Sequence, residues 1–174
     1  MICPLCCHRG NLPGADWCGW CQFDLMAVDR PAPVDRVERS LMLDPVSALA
    51  PRPAAIVPLD ADLDEAMGVM MGLKVGAVLV VDDAGGLAGI LTERDFLTKL
   101  AGRPGFGREP VAAWMTRHPE TVAATDPIGA ALGKMAGGGY RHLPVVSDGQ
   151  PVAVLSVRDV IRHLVGLCQD VPAG

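Results

Sequence analysis

The stretch Tyr140–Ile161, YRHLPVVSDGQPVAVLSVRDVI, decides the fold. Leu143 to Val146 is a short apolar run, and Ser147-Asp148-Gly149-Gln150 is a turn signal. Val152 to Leu155 is a second apolar run, and Ser156 opens a helix. On that helix Val157, Val160, Ile161, Leu164, Val165 and Cys168 recur at helical spacing, which places Cys168 in the core. Ser156 and Asp159 stand where a strand feeds a helix N-terminus. Such a corner is expected to offer unpaired backbone N–H groups and a positive dipole end, suited to an anion or a phosphorylated sugar.

The chain makes this corner twice. Gly89-Ile90-Leu91-Thr92-Glu93-Arg94-Asp95 matches Ala153-Val154-Leu155-Ser156-Val157-Arg158-Asp159. Upstream, the helical pattern Leu63, Ala66, Met67, Met70, Met71 recurs as Ile128, Ala131, Leu132, Met135, Ala136. The apolar strand Ala77 to Val81 recurs as His142 to Val146, and Phe96, Leu97, Leu100, Ala101 recur as Val160, Ile161, Leu164, Val165. Each copy reads strand–helix–strand–strand–helix, an α+β unit. Neither could bury both faces of its small sheet alone, so the two are expected to pack together. The copies occupy residues 45–102 and 103–170, with Pro104 to Pro110 as connector.

Ahead of the repeat, Pro31, Pro33, Pro45, Pro51 and Pro53 punctuate the chain. Residues 26–44 read as a linker, with a short helix over Val34 to Leu43 and a further helical turn at Pro45 to Leu49. Residues 1–25 hold five of the six cysteines. Cys3 and Cys6, then Cys18 and Cys21, form two C-x₂-C turns, each able to point two sulfurs at one ion. Four thiolates fit a structural zinc site, and they also fit iron. Cys7 and His8 are alternative ligands. The stretch resembles a short zinc ribbon of the CPxCG…CxxCGxxL type, with Cys7 and Gln22 standing where that pattern has glycine. Trp17, Trp20 and Phe23 are either the ribbon's own small core or a contact patch for a protein partner.

The chain of 174 residues is half apolar, yet no apolar run approaches membrane-spanning length. Its start carries no signal-peptide pattern, so a soluble cytoplasmic protein is the expectation. A net charge of −5 argues against general nucleic-acid binding, and residues 1–25 make a poor phosphate-binding face.

With the repeat in register, residues 45–168 resemble a tandem pair of cystathionine-β-synthase (CBS) domains, a Bateman module. The residues that carry the resemblance are Arg141-His142-Leu143-Pro144-Val145-Val146, Thr92 with Asp95, Ser156 with Asp159, and Ala113-Trp114-Met115-Thr116 leading to Glu120-Thr121-Val122. The resemblance implies a regulatory module for adenosine-containing ligands such as AMP, ADP or ATP. Asp159 would accept from the ribose hydroxyls, and Ser156 and Arg158 would meet phosphate. Val122 and Pro144 would wall the purine, with Arg141 and His142 beside it. Thr92, Arg94 and Asp95 would serve a first site by the same match. The Asp159 copy has the fuller polar set and is expected to be the stronger site, although Ala153 replaces Gly89 there and could narrow it. Ser/Thr-x-x-Asp before an apolar-periodic helix is also a helix cap, compatible with ligand contact.

The expected function is therefore a cytoplasmic sensor, not an enzyme: the CBS pair binds an adenine nucleotide and the zinc ribbon contacts a partner. No catalytic residues are expected. Alternatives are a nucleic-acid-associated ribbon protein, or a rubredoxin-like iron protein with a regulatory CBS pair. Homodimers are expected, with Leu63/Met67/Met70/Met71 and Ile128/Leu132/Met135 as contact faces, unless these only cover the sheets within one chain.

Overall fold

The computed structural model describes residues 6, 9–11, 15–22, 25, 33 and 35–169. Cys3, Cys7, His8, Phe23 and most of the stretch from 26 to 34 lie outside them. Helix α1 (Arg36–Leu43) is followed by a 3₁₀ turn, Val46–Leu49, and a two-residue strand β1 (Arg52–Pro53). The first repeat then runs β2 (Ile56–Pro58), α2 (Leu63–Leu73), β3 (Ala77–Val81), β4 (Leu87–Thr92) and α3 (Glu93–Asp95), which continues as a π turn, Phe96–Leu100. Another short strand, β5 (Thr116–Arg117), precedes the second repeat. That repeat runs β6 (Val122–Ala123), α4 (Ile128–Gly138), β7 (His142–Ser147), β8 (Gln150–Ser156) and α5 (Val157–Gln169). The α+β order of both copies is the one the repeat implies.

Each copy builds a four-stranded sheet, but only three strands are its own. The sheets run β2-β3-β4-β5 and β6-β7-β8-β1. Strand β5 leads into the second repeat yet pairs with β4 of the first, Gly89 opposite Arg117 and Ile90 opposite Thr116. Strand β1 precedes the first repeat yet pairs with β8 of the second, Pro53 opposite Ala153 and Arg52 opposite Val154. The two exchanges sit at the same offset as Asp95 and Asp159, so β1 and β5 are one element of the repeat, given reciprocally to the other half. The repeat extends to an irregularity: both central hairpins break register at equivalent places, Val80/Val81 and Val145/Val146.

Strand alternation divides the core into layers. Val78, Val80 and Leu91 face α2, whose Leu63, Ala66 and Met70 are buried against them. Val122, Leu143, Val145 and Leu155 pack with Ile128, Ala131 and Met135 of α4 in the same way. On the opposite face of the first sheet Ala77, Leu79 and Ile90 meet Val154 of the second, so the two halves join sheet to sheet. Each Val, Leu, Ile or Met side chain so removed from water contributes roughly 1.5–3 kcal/mol.

Two expectations change here. Leu63, Met70, Ile128 and Met135 are buried within the chain, so α2 and α4 mainly cover their own sheets and leave Met71 exposed. Cys168 is exposed rather than in the core, as are Ile161 and Val165. Helix α5 covers the sheet through Val157, Val160 and Leu164, which turns the Ile161–Val165–Cys168 side outward. The short helix expected over Val34 to Leu43 is present as α1, which begins on its Asp35 cap and lies against α4 and α5. Its Leu41 carbonyl comes so close to Gly129 that a Cβ there would sit 2.9 Å away. Ser40 Oγ lies 2.5 Å from Asp44 Oδ2 and 2.7 Å from His163 Nε2 of α5. The hydroxyl has one proton and the carboxylate only accepts, so His163 donates its Nε2–H to Ser40.

The corners at the two C-terminal helices are capped alike. Thr92 N and Oγ1 both donate to Asp95 Oδ2, at 2.9 and 2.7 Å. Ser156 N and Oγ both donate to Asp159 Oδ2, at 2.9 and 2.6 Å. Lys99 Nζ meets Asp95 Oδ1 at 2.6 Å, and Arg162 Nη1 donates to Asp159 Oδ1 at 2.9 Å. Burial pushes both carboxyls up, but these donors and cations outweigh it and hold both below the ordinary aspartate value.

A depressed carboxyl stabilises the fold above the unfolded value, near pH 4, and that contribution is lost as pH falls through the lower folded value. Replacing Asp95 and Asp159 together by Asn is expected to cost about 0.5–2 kcal/mol per cap at pH 7. It should also flatten the fall in urea midpoint below about pH 4; an acid limb as steep as the wild type's would refute this. The exchanged strand gives a separate expectation. A Cβ on Gly89 would lie 2.4 Å from Met115 Sδ and 2.9 Å from the Thr116 carbonyl. Gly89→Ala must displace the Met115 side chain and shift the Thr116 backbone of β5, and should lower stability by about 1–3 kcal/mol in denaturant unfolding.

Candidate functional site

Two hollows open where the exchanged strands meet the capped corners. The larger, about 540 Å³, is lined by the Thr92–Asp95 corner, by Thr116 to Glu120 following β5, and by Gly138 to Leu143. The smaller, about 100 Å³, holds Ser156, Asp159 and Arg162 of the second corner, with Arg52, Pro53 and Ala55 beside β1 and Lys74 to Ala77. Gly76, His142, Ser156 and Arg158 line both, so the hollows share a wall. Ligand sites of small molecules occupy roughly 300–1,000 Å³, which the first hollow reaches and the second does not.

The sequence-predicted residues divide differently from expectation. Arg141 and His142 line the larger hollow, together with Thr92, Arg94 and Asp95, rather than standing with Asp159 alone. Ser156 and Arg158 reach both hollows, and Asp159 lines only the smaller. Val122 and Pro144, expected as purine walls, line neither. Val122 is buried against α4, and Pro144 is buried in the centre of β7 opposite Val154. Ile90 and Leu143 supply apolar lining instead. Gly89 admits the neighbouring strand, and Ala153 packs in the core opposite Pro53, so the Gly/Ala difference bears on strand exchange rather than on hollow width. Arg117 and His118, which sequence reading passed over, enter the larger hollow through β5.

The charge around the larger hollow is cationic on balance. Arg94, Arg117, Arg141 and Arg158 face Glu93, Asp95 and Glu120, and Asp95 already pairs with Lys99. Guanidinium groups in this number suit phosphate, which they bind bidentately. Arg94 also donates to the Gly139 carbonyl at 3.2 Å across the hollow. Burial pushes the His142 imidazole down; Glu93 opposes that, while Arg141 and Arg158 reinforce it, so the ring favours the neutral form. The backbone at the corners is less open than expected. Glu93 N donates to the Gly76 carbonyl at 3.1 Å and Val157 N to the Arg141 carbonyl at 3.0 Å, so the first helical N–H is paired at each corner.

In the cysteine unit, the sulfurs of Cys6, Cys18 and Cys21 lie within 4.8 Å of one another, with Cys18 buried. Burial raises the Cys18 thiol. The backbone N–H groups of Cys21 and Trp20 and the sulfurs of Cys6 and Cys21 outweigh that and bring it to about 6. A cysteine that favours the thiolate at neutral pH fits a metal ligand. Gln22, where the ribbon pattern has glycine, has φ +57° and donates its N–H to the Cys18 carbonyl at 3.0 Å. The turn thus keeps the left-handed geometry glycine would supply. Cys3, the fourth expected ligand, lies outside the described residues. Among the described residues no helix is long and apolar enough to cross a membrane.

Comparison with known proteins agrees with this architecture. The family model of the CBS domain matches twice, over residues 46–102 and 111–166. The CBS domain-containing protein CBSCBSPB5 of Arabidopsis thaliana is 39% identical over 105 residues, which is 60% of this chain. Only 19% of that plant protein is covered, so the chain spans about a fifth of its length. An uncharacterised 17.7 kDa protein of Acidianus ambivalens is 31% identical over 124 residues, 71% of this chain and 74% of its own. Among solved structures, a CBS-domain protein from Agrobacterium tumefaciens superposes with a TM-score of 0.62 at 29% identity, covering 68% of this chain and 94% of that one. A CBS domain protein from Pyrobaculum aerophilum, solved in complex with AMP, gives a TM-score of 0.62 at 28% identity over 70% of this chain and 98% of that one. Two family matches in series, on two sheets that exchange edge strands, mean that the chain belongs to the CBS-domain family as a tandem pair.

Proposed function

We propose that this chain is a regulatory CBS pair that binds an adenine nucleotide in the larger hollow, at the Thr92–Asp95 corner. The observation that carries the reading is the composition of that hollow: a buried, ionised Asp95 and four arginines line one space of about 540 Å³. Asp95 accepts from the ribose, Arg94, Arg117, Arg141 and Arg158 take the phosphate, and Ile90 and Leu143 meet the base. The AMP complex of the Pyrobaculum aerophilum relative supports the ligand class. The Asp159 corner is the weaker of the two, because the hollow beside it is small and already holds Arg162.

The cysteine unit holds zinc through Cys3, Cys6, Cys18 and Cys21, supported by the gathering of three of these sulfurs and the lowered Cys18 thiol. Zinc, when bound, cross-links the two C-x₂-C turns of a unit too small to fold on its apolar content alone. Trp17 and Trp20, 57% and 76% exposed, offer this unit's contact with a protein partner. Two copies pair through the apolar residues left outside on the C-terminal helices, Leu97, Ile161 and Val165. Clustered reduced cysteines of this kind suit a reducing compartment, which supports a cytoplasmic location.

Isothermal titration with AMP, ADP and ATP should give saturable binding by at least one of them. Asp95→Ala should weaken it at least tenfold, and Asp159→Ala by less. No heat and no thermal shift with any of the three would overturn the assignment. Native mass spectrometry of the protein as purified should report one zinc per chain in a dimer, with the metal lost on Cys18→Ser. Iron in place of zinc, with a red colour, would replace the structural role by an electron-carrying one.

A further inference from the structure

The Asp95 carboxylate is nearly full before any ligand arrives. A carboxylate offers about four lone-pair positions, two on each oxygen. Thr92 N and Thr92 Oγ1 occupy Oδ2, at 2.9 and 2.7 Å. Lys99 Nζ occupies Oδ1 at 2.6 Å. One position on Oδ1 remains. A ribose presents two neighbouring hydroxyls, and a carboxylate that takes both needs two positions.

Lys99 is not a loosely held surface cation. The π turn, Phe96–Leu100, carries it back over Asp95. Its ammonium also donates to the Trp114 carbonyl at 3.0 Å, two residues before the β5 strand whose Thr116 and Arg117 line the hollow. Lys99 is therefore fixed from two sides, on the carboxylate and on the exchanged segment. Arg162 takes the equivalent place at Asp159 Oδ1, at 2.9 Å, but from one turn of a regular α-helix and with its side chain 68% exposed, against 41% for Lys99.

From this we infer that Lys99 sets the sugar specificity of the site: by holding Asp95 Oδ1 it leaves the carboxylate one acceptor position, so a ribonucleotide gains one hydroxyl bond there and not two. The inference rests on the assignment of an adenine nucleotide to the Asp95 hollow. It goes beyond that assignment because it predicts how weakly the site distinguishes ribose from a sugar lacking both hydroxyls. A positive charge at Lys99 also attracts the phosphate, but that attraction is the same for both sugars and cancels in their ratio.

The experiment is therefore a ratio of two affinities, measured by titration calorimetry on the full chain: AMP against 2′,3′-dideoxy-AMP. Lys99→Met removes the competing donor, and Lys99→Ala does so with a shorter side chain should the methionine fold poorly. Either should raise the preference for AMP over the dideoxy analogue by about tenfold, the effect of one added hydrogen bond to a charged group. Lys99→Arg keeps a cationic donor and should return the ratio to the wild-type value. A ratio unchanged, or lowered, in both cation-free variants overturns the role of Lys99 while leaving nucleotide binding in place. If the wild-type chain binds ADP or ATP but not AMP, the same ratio is taken with that nucleotide and its dideoxy analogue; absence of binding by all three overturns both readings.

Discussion

The exchange of edge strands is the constraint on which the rest of this structure depends. Each sheet of three strands ends on an unpaired edge, and each edge is closed by two residues from outside its own repeat, β5 on β4 and β1 on β8. An open edge exposes a row of unpaired N–H and C=O groups, so closing it this way protects the sheet and ties the halves together. The tie is topological as well as energetic. Val111 N donates to the Ala61 carbonyl and Leu63 N to the Glu109 carbonyl, so the connector that brings β5 back is stitched to the start of α2. Neither repeat completes its sheet without chain from beyond its own boundary.

The same exchange creates the hollows. Beside each capped aspartate the opposite wall comes from the exchanged segment: Thr116 to Glu120 next to Asp95, and Arg52 to Ala55 next to Asp159. This explains which parts of the site could be read from sequence. The repeat, its helices and strands, and the paired Thr92–Asp95 and Ser156–Asp159 corners are local patterns, and periodicity displays them. The partners of each corner are not local. Arg141 and His142 precede Asp159 by less than twenty residues, so sequence proximity grouped them with it. In space, Arg141 faces Asp95 because the strand that carries His142 ends at the mouth of the other hollow. Two-residue strands leave no period to detect, which is why Arg117 and His118 escaped notice. Val122 and Pro144 show the complementary ambiguity: an apolar residue in a strand is as well used by the core as by a ligand, and both are buried away from the two hollows.

The segment between the cysteine unit and the first repeat includes a helix that seats on the second repeat. This is the short helix expected within the proline-punctuated stretch up to residue 44, and it lies against α4 and α5. Its apolar content is modest, and what fixes it is a set of polar and close contacts. Asp44 presents its carbonyl to Ile128 N at 3.0 Å, Leu41 abuts Gly129, and the Ser40 hydroxyl links Asp44 to His163. A buried hydroxyl with both neighbours satisfied holds a helix in one orientation, because losing either partner leaves a polar group unpaired. The first described helix after the cysteine unit is thus registered on the helices of the second repeat.

The difference between the two hollows follows from the same architecture rather than from the caps. The caps are chemically alike, hydroxyl and amide on one carboxylate oxygen and a cation on the other. What differs is the chain that closes each hollow. Beside Asp95 the exchanged strand is followed by His118, at φ +46°, and by Pro119 and Glu120, which line the larger hollow. Beside Asp159 the exchanged strand follows Ala50, at φ +46°, and passes directly into Ala55 and β2, while the long side chains of Arg52, Lys74 and Arg162 fill the space. A duplicated corner therefore yields one roomy site and one filled one because the segments donated across the pair have diverged, with the sheets and caps beneath them unchanged.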